Sequence, residues 1–240
     1  MEEVVKYEGR DLEAMAFAVN YHQWILQLFR PHLGCHAVEV GAGSGSFSEM
    51  LMECGLASLA LVEPAANGYA ALCQRMAQPL ASTSVTTYNS VFRLAAAQIK
   101  AVQPPDSIIY VNVLEHIADD CAELKIIRET LSDDGKLFIF VPAMPWLYSR
   151  YDKKIGHFRR YAKHELEEKC VQAGFQICQS FYFDLLGIAP WFIKYRLLKA
   201  MEMEPSAVAV YDRYVVPVAK KLETLWPPPR GKNLVLIAAK

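Results

Sequence analysis

Apolar side chains recur at Leu12, Met15, Val19, Leu26, Phe29 and Leu33, at spacings near three and four, and Pro31 closes the pattern. That periodicity predicts an amphipathic helix ahead of the main fold. From Ala37 onward the period changes. Ala37 to Val40 is a short apolar run ending in glycines, and Ser46 to Cys54 follows as a helix stopped by Gly55. Leu59 to Val62 reads as a second strand, and Pro64 to Met76 as a helix with proline at its start. Val85 to Tyr88 and Val91 to Val102 repeat strand and helix. Pro104 and Pro105 break the chain before Ser107 to Val113, whose β-branched content and length suit a strand buried on both faces.

Asp119 to Leu131 opens with an acidic first turn and carries Asp120 three residues before Glu123, the spacing of a capping box. It predicts a helix ending at the turn Asp133-Asp134-Gly135. Lys136 to Val141 is a fifth strand, His164 to Ala173 a helix ended by Gly174, Gln176 to Phe183 a sixth strand and Asn233 to Ala239 a seventh. Strands alternating with helices call for an α/β fold with a mostly parallel sheet and helices on both faces. Pro142 to Ala162 and Asp184 to Lys232 depart from the alternation. Irregular excursions of that length tend to carry function, so both are predicted to roof the site. At 240 residues the expectation is a single domain, 1–240. Within it, 1–34 would form an N-terminal helical lid and 35–142 the core. Segments 143–162 and 184–232 would form a cap, the second as a helical insertion before the last strand.

Composition narrows the partners more than the fold. With 25 basic against 26 acidic residues, no overall field draws the chain to nucleic acid or an anionic bilayer. The six cysteines, at 35, 54, 73, 121, 170 and 178, form neither a CxxC nor a Cys/His cluster, which argues against a zinc site or disulfide framework and for a reducing, cytoplasmic location. The acidic first residues do not read as a signal peptide, and no apolar stretch reaches the length of a membrane span.

The run Val38-Glu39-Val40-Gly41-Ala42-Gly43-Ser44-Gly45 places alternating glycines between a strand and a helix. Backbone without side chains turns tightly there and offers helix-start amides to a ligand. The spacing is GxGxG rather than the dinucleotide GxGxxG, because Ser46 stands where that fingerprint needs glycine. Glu63 ends the second strand, placed to accept hydrogen bonds from ribose hydroxyls, a role shared by NAD and S-adenosylmethionine (SAM) sites.

Together with Asn112-Val113-Leu114-Glu115-His116, these motifs resemble, in order and spacing, those of class I SAM-dependent methyltransferases over roughly residues 37 to 141. The resemblance implies a Rossmann-like, seven-stranded sheet and SAM as cofactor. It puts Gly41, Ala42, Gly43 and Gly45 at the methionine end, Glu39 near the amino group and Glu63 on the ribose. Pro64, Asn112, Val113 and Leu114 would complete the cofactor wall. Where family members often carry an aspartate for the adenine amine, this chain has Tyr88-Asn89-Ser90, so Asn89 and Ser90 take that place. Asn20-Tyr21-His22-Gln23-Trp24, Gly156-His157-Phe158-Arg159-Arg160-Tyr161, Tyr211-Asp212-Arg213 and Pro227-Pro228-Pro229 resemble a bacterial branch of methyltransferases, some associated with polyprenol-linked sugar transferases. That likeness makes Tyr21 a lid residue over the cofactor, with packing of its helix on the sheet as the alternative.

Methyl transfer aligns a nucleophile with the donor methyl and removes a proton where the acceptor carries one. His157 is the candidate base, Arg159 and Arg160 the candidate clamps for an anionic acceptor, and Tyr161 completes the catalytic set. His116 competes with His157, with a packing role as its plainer explanation. His22, His32, His36 and His164 lack ligand spacing, and no carboxylate/histidine cluster is legible, so metal independence is expected. The predicted reaction is O-methylation of a small acceptor, anionic or lipid-linked, with no nucleic acid and at most peripheral membrane contact through Phe181 to Met203. N-methylation, an NAD(P)-dependent oxidoreductase and a non-catalytic SAM-binding module are the alternatives.

Overall fold

The seven predicted strands pair into one sheet in a computed structural model that describes residues 17–77 and 82–240. The strands are β1 (His36–Val40), β2 (Ser58–Val62), β3 (Ser84–Tyr88), β4 (Ser107–Val111), β5 (Lys136–Pro142), β6 (Gln176–Phe183) and β7 (Asn233–Ala239). Around them lie α1 (Val19–Phe29), α2 (Ser46–Met52), α3 (Ala66–Met76), α4 (Phe92–Val102), α5 (Asp120–Thr130), α6 (Arg150–Lys154) and α7 (Lys163–Gln172). The insertion before β7 holds α8 (Ile188–Trp191), α9 (Pro205–Val210) and α10 (Val216–Leu225), with wider π-helical turns at Phe192–Leu197 and Tyr211–Val215.

The sheet order is β3-β2-β1-β4-β5-β7-β6, and β7 runs antiparallel to both of its neighbours. The chain winds outward from β1 to β3 and restarts at β4 beside β1, which opens a crevice beyond the carboxyl ends of those two strands. Period-two side chains separate the two faces. Ile108, Tyr110, Leu137, Ile139, Leu234 and Leu236 join α4, α5 and α7 in one core, while Ile109, Phe138, Phe140, Val235 and Ile237 join α1, α2 and α10 in the other. Phe138 and Phe140 have no exposed surface, and burial of each such side chain contributes about 1.5–3 kcal/mol.

Several boundaries differ from the sequence expectation for physical reasons. Of the predicted helix Leu12 to Leu33, residues 12–16 lie outside the described residues, and so does most of the predicted 1–34 lid's first half; α1 starts at Val19 and ends in a tight turn, Arg30–His32, around Pro31. Its Tyr21, Trp24, Ile25 and Phe29 are buried on the sheet. β4 stops at Val111, because Asn112 adopts a left-handed φ of 53°. The cap of α5 is Asp119 rather than Asp120, its carboxylate accepting from the Ala122 amide at 3.0 Å. Glu123 instead accepts from the Tyr110 hydroxyl at 2.7 Å. No helix among the described residues is long and apolar enough to cross a membrane.

Candidate active site

A cavity of about 860 Å³ opens beyond β1 and β4, in the upper range for ligand pockets. Its floor comes from β1, β4 and the glycine turn. Its roof comes from both predicted excursions, through Tyr151, His157, Arg160, Trp191, Met203 and Lys232.

The glycine turn has φ of 72°, 56° and 84° at Gly41, Gly43 and Gly45, values that side chains other than glycine's rarely adopt. A Cβ on Gly41 would lie 2.4 Å from Val113 Cγ2, so the close approach of turn and β4 loop requires glycine. The amides of Gly43 and Ala65 each donate to the Glu63 carboxylate at 2.8 Å, which fixes that side chain at the cavity wall. Burial raises Glu63 above the ordinary carboxylate range despite those two hydrogen bonds. Glu39, 3% exposed, accepts from the Ser48 hydroxyl, and burial pushes its carboxyl up to about 8 against that bond.

Beyond β4 a short helical turn, Leu114–His116, presents Glu115 and His116 to the cavity. Glu115 has no exposed surface, and neither carboxylate oxygen has a hydrogen-bond partner in any other described residue. Burial pushes it up to about 7, opposed by His157 and Arg160. Burial and the neighbouring His157 push His116 down to about 3, so its imidazole is neutral at ordinary pH.

The cap brings His157 against this turn. Ser149 and Asp152 form a capping box at the start of α6, and Asp152 Oδ1 also accepts from His157 Nδ1 at 3.1 Å and Arg160 Nε at 2.8 Å. Burial works to raise the Asp152 carboxyl, yet the bond from His157, the Arg160 charge and Ser149 outweigh it and hold it low. Nε2 of His157 then faces Glu115 Oε1 at 3.7 Å, and the two imidazole rings of His116 and His157 lie 4.6 Å apart, edge to face.

A second buried cluster ties α1 to the insertion. Asp212 accepts from the amides of Asn20 and Tyr21 at 3.0 and 2.8 Å, capping α1 from far along the chain. The Tyr21 hydroxyl bonds Asp184 and Asn233, and Tyr211 and Lys232 also reach Asp184.

Residues 9–180 match the family described as "Methyltransferase domain". The chain belongs to that family. It is a class I SAM-dependent methyltransferase, and its sheet order agrees. Among solved structures, a SAM-dependent methyltransferase from Archaeoglobus fulgidus superposes with TM-score 0.59 and 16% identity, covering 96% of this chain and 97% of that one. A Burkholderia thailandensis 1,6-didemethyltoxoflavin-N1-methyltransferase, solved with S-adenosylhomocysteine (SAH), gives 0.56 and 16%, covering 96% and 81%. A Haloferax volcanii methyltransferase in complex with the activator Trm112 gives 0.60 and 13%, covering 98% of both chains. At these identities the likeness carries the fold alone. No curated protein matches the sequence.

Within the methyltransferase, Tyr21, Glu39, Gly41, Ala42, Gly43, Glu63, Pro64, Asn112 and Val113 line the cavity. Gly45, Asn89, Ser90 and Leu114 do not line it. Gly45 packs behind the turn, where a Cβ would lie 2.9 Å from Leu72 Cδ1. The Asn89 amide donates to the Glu63 and Pro64 carbonyls, Ser90 bonds the Val91 carbonyl, and Val91, Phe92 and Arg93 reach the cavity instead. Leu114 is a core side chain with no exposure.

Of the four predicted catalytic residues, His157 and Arg160 reach the cavity. The expected paired arginine clamp is split by geometry. Arg160 is 3% exposed, bonded to Asp152 and the Ala143 carbonyl, and stacked 4.3 Å over the Trp191 ring. Arg159 points outward to Asp120 and the Ala118 carbonyl, and Tyr161 is fully buried with its hydroxyl on Asp120 at 2.8 Å. The two neighbours therefore leave the chain in different directions, Arg160 inward to the cavity and Arg159 outward to the start of α5.

The sequence reading did not assign Glu115, Asp152, Trp191 or Lys232, and it anticipated no carboxylate/histidine cluster. Asp152 had a legible signal in the Ser149-x-x-Asp152 capping spacing. Glu115 sits inside a quoted motif, but only its burial without a partner marks it out, and burial of one side chain is not written in a sequence.

Proposed function

We propose that the enzyme methylates an oxygen of a small acceptor, with His157 at the acceptor end of the cavity and the glycine turn at the cofactor end. The observation that carries this reading is the single cavity walled on one side by Gly41 to Ser44, Glu39 and Glu63 and on the other by the Asp152-held His157. The residues fit SAM: a left-handed glycine turn leaves room for close backbone approach, and two buried carboxyls meet cationic and hydroxyl groups. Glu39 would hold the amino group, Glu63 the ribose hydroxyls, and Gly41, Ala42, Gly43, Asn112 and Val113 the remainder. When bound, SAM supplies an electrophilic methyl group. His157, its Nδ1 fixed by Asp152, keeps Nε2 toward the cavity and takes the acceptor's proton. Arg160, held beside it, presents positive charge to an anionic acceptor. Tyr21, tied to Asp184 and Asn233, forms wall rather than a free lid.

A lipid-linked acceptor is supported by the number of exposed apolar side chains on the insertion, Leu197, Leu198, Val210, Leu222, Leu225 and Trp226 among them. Absence of liposome binding would remove that version. The central test is calorimetric titration with SAH of the wild type, Gly43→Asp and Glu63→Ala. Micromolar binding lost in both variants is expected, and a wild type that binds no SAH overturns the site assignment. A methyl-transfer screen over hydroxyl and amine acceptors with His157→Ala then separates oxygen, where the variant loses activity, from nitrogen, where an unprotonated amine needs no base.

A further inference from the structure

We infer that Glu115, His116 and His157 form a binding site for a late first-row divalent cation at the acceptor end of the cavity. One ligand atom from each of the three lies within 4.8 Å of the others. A point central to three atoms so spaced is no more than about 2.8 Å from each, so the side chains need close by less than about 1 Å to reach the 2.0–2.2 Å of nitrogen and carboxylate ligation.

Three independent features point to an ion. Glu115 is fully buried, and neither of its oxygens has a hydrogen-bond partner in any other described residue, the nearest basic nitrogen being His157 Nε2 at 3.7 Å. A buried polar group without a partner costs about 1–3 kcal/mol or more, and natural sites rarely leave one so. His157 has Nδ1 held by a buried carboxylate, Asp152, which leaves Nε2 toward Glu115. That arrangement is the outer-sphere support that metal-ligating histidines have. His116 is likewise anchored, by a hydrogen bond to the Gly156 backbone. Two supported imidazoles and one carboxylate suit zinc, cobalt or ferrous iron rather than magnesium, and with three protein ligands the ion keeps positions open to the cavity.

The inference deepens the proposed function and rests on it only for the ion's role. An acceptor with an ionisable oxygen would occupy an open position, and coordination would lower that oxygen's pKa so that its proton leaves to solvent. In the loaded form His157 Nε2 is a ligand, and the ion takes over the removal of the proton.

The test is a titration of the full chain, stripped with EDTA, with Co2+ followed by absorption, alongside calorimetry with SAH. A ligand-field spectrum saturating at one equivalent is expected, with affinity at least tenfold weaker in Glu115→Gln and in His157→Asn. Both variants should retain SAH binding, which shows that they fold. Exposed Cys35 and Cys178 are the competing ligands, and they would announce themselves by a thiolate charge-transfer band. A wild type that binds SAH but shows no ligand-field spectrum, a spectrum unchanged in both variants, or one dominated by the thiolate band overturns the cation site and leaves the cofactor assignment standing. Failure to bind SAH with the cobalt spectrum as described would overturn the cofactor assignment alone.

Discussion

Glu39→Gln tests whether the cofactor end of the cavity holds a carboxyl at a cost to the fold. Burial moves its pKa from the ordinary 4.5 to about 8, against the Ser48 hydrogen bond. The sign follows from proton linkage. The folded chain holds this proton up to about pH 8 while the unfolded chain releases it near 4.5, so stability is highest below 4.5 and falls as pH rises toward 8. Each pKa unit corresponds to about 1.36 kcal/mol, and between pH 5 and pH 8 the loss amounts to roughly 3–4 kcal/mol. Glutamine keeps the shape and a partner for Ser48 but does not titrate. The variant should therefore gain on the wild type by that amount over this pH range. At about 2–4 °C per kcal/mol for a domain of this size, the gain is on the order of 10 °C in Tm. Thermal melts of both proteins from pH 5 to pH 9 measure the difference, in which other titrating groups largely cancel. SAH affinity should fall at least tenfold, because a glutamine cannot ionise to pair with the ligand's ammonium group as the carboxyl can once that charge is beside it. A Tm difference that stays flat across the range would refute the claim that burial suppresses ionisation at Glu39.

Gly41→Ala places a methyl 2.4 Å from Val113 Cγ2 on a backbone of φ 72°, so a loss of about 1–3 kcal/mol and of SAH binding is expected, read by urea unfolding and calorimetry. Asp152→Asn should lower kcat about 10–100-fold while SAH affinity changes little, since it orients His157 without lining the cofactor end; equal losses in both would contradict that separation. Tyr161→Phe removes the buried bond to Asp120 and should cost about 1–3 kcal/mol of stability with little change in kcat, whereas loss of a catalytic hydroxyl would lower kcat sharply.

The strand and helix alternation was legible because its cause is local: short continuous apolar runs such as Leu137 to Val141, buried on both faces, and stops at Gly55 and Gly174 act within a few residues. The glycine turn was legible for the same reason. Asn89, Ser90 and Arg159 show the limit. Ser90 and Arg159 stand next in sequence to residues that reach the cavity and Asn89 stands two before one, but the direction of a side chain depends on where its strand or turn ends. Asn112 turns left-handed and ends β4, a change no hydrophobic pattern announces. The cluster of Glu115 and His116 with His157 joins segments some forty residues apart, and the sequence held each part without the distance between them.

The segments Asn20-Tyr21 and Tyr211-Asp212-Arg213 meet in space, and buried aspartates make that junction and three others of the cap. Asp212 caps Asn20 and Tyr21, Asp184 gathers Tyr21, Tyr211 and Lys232, Asp152 gathers His157 and Arg160, and Asp120 gathers Arg159, Tyr161 and Lys169. All four aspartates are nearly or fully buried. Asp120, Asp152 and Asp184 are held in ion pairs, and buried ion pairs add little net stability over well-packed apolar groups, so stability is a poor account of those three. What they supply is direction: a charged hydrogen bond fixes the angle at which a cap segment leaves the sheet, whereas apolar contact would tolerate sliding. Each aspartate pins one piece of cap beside the cavity, and the side chains that wall it, Tyr21, His157, Arg160 and Lys232, are those the pins hold.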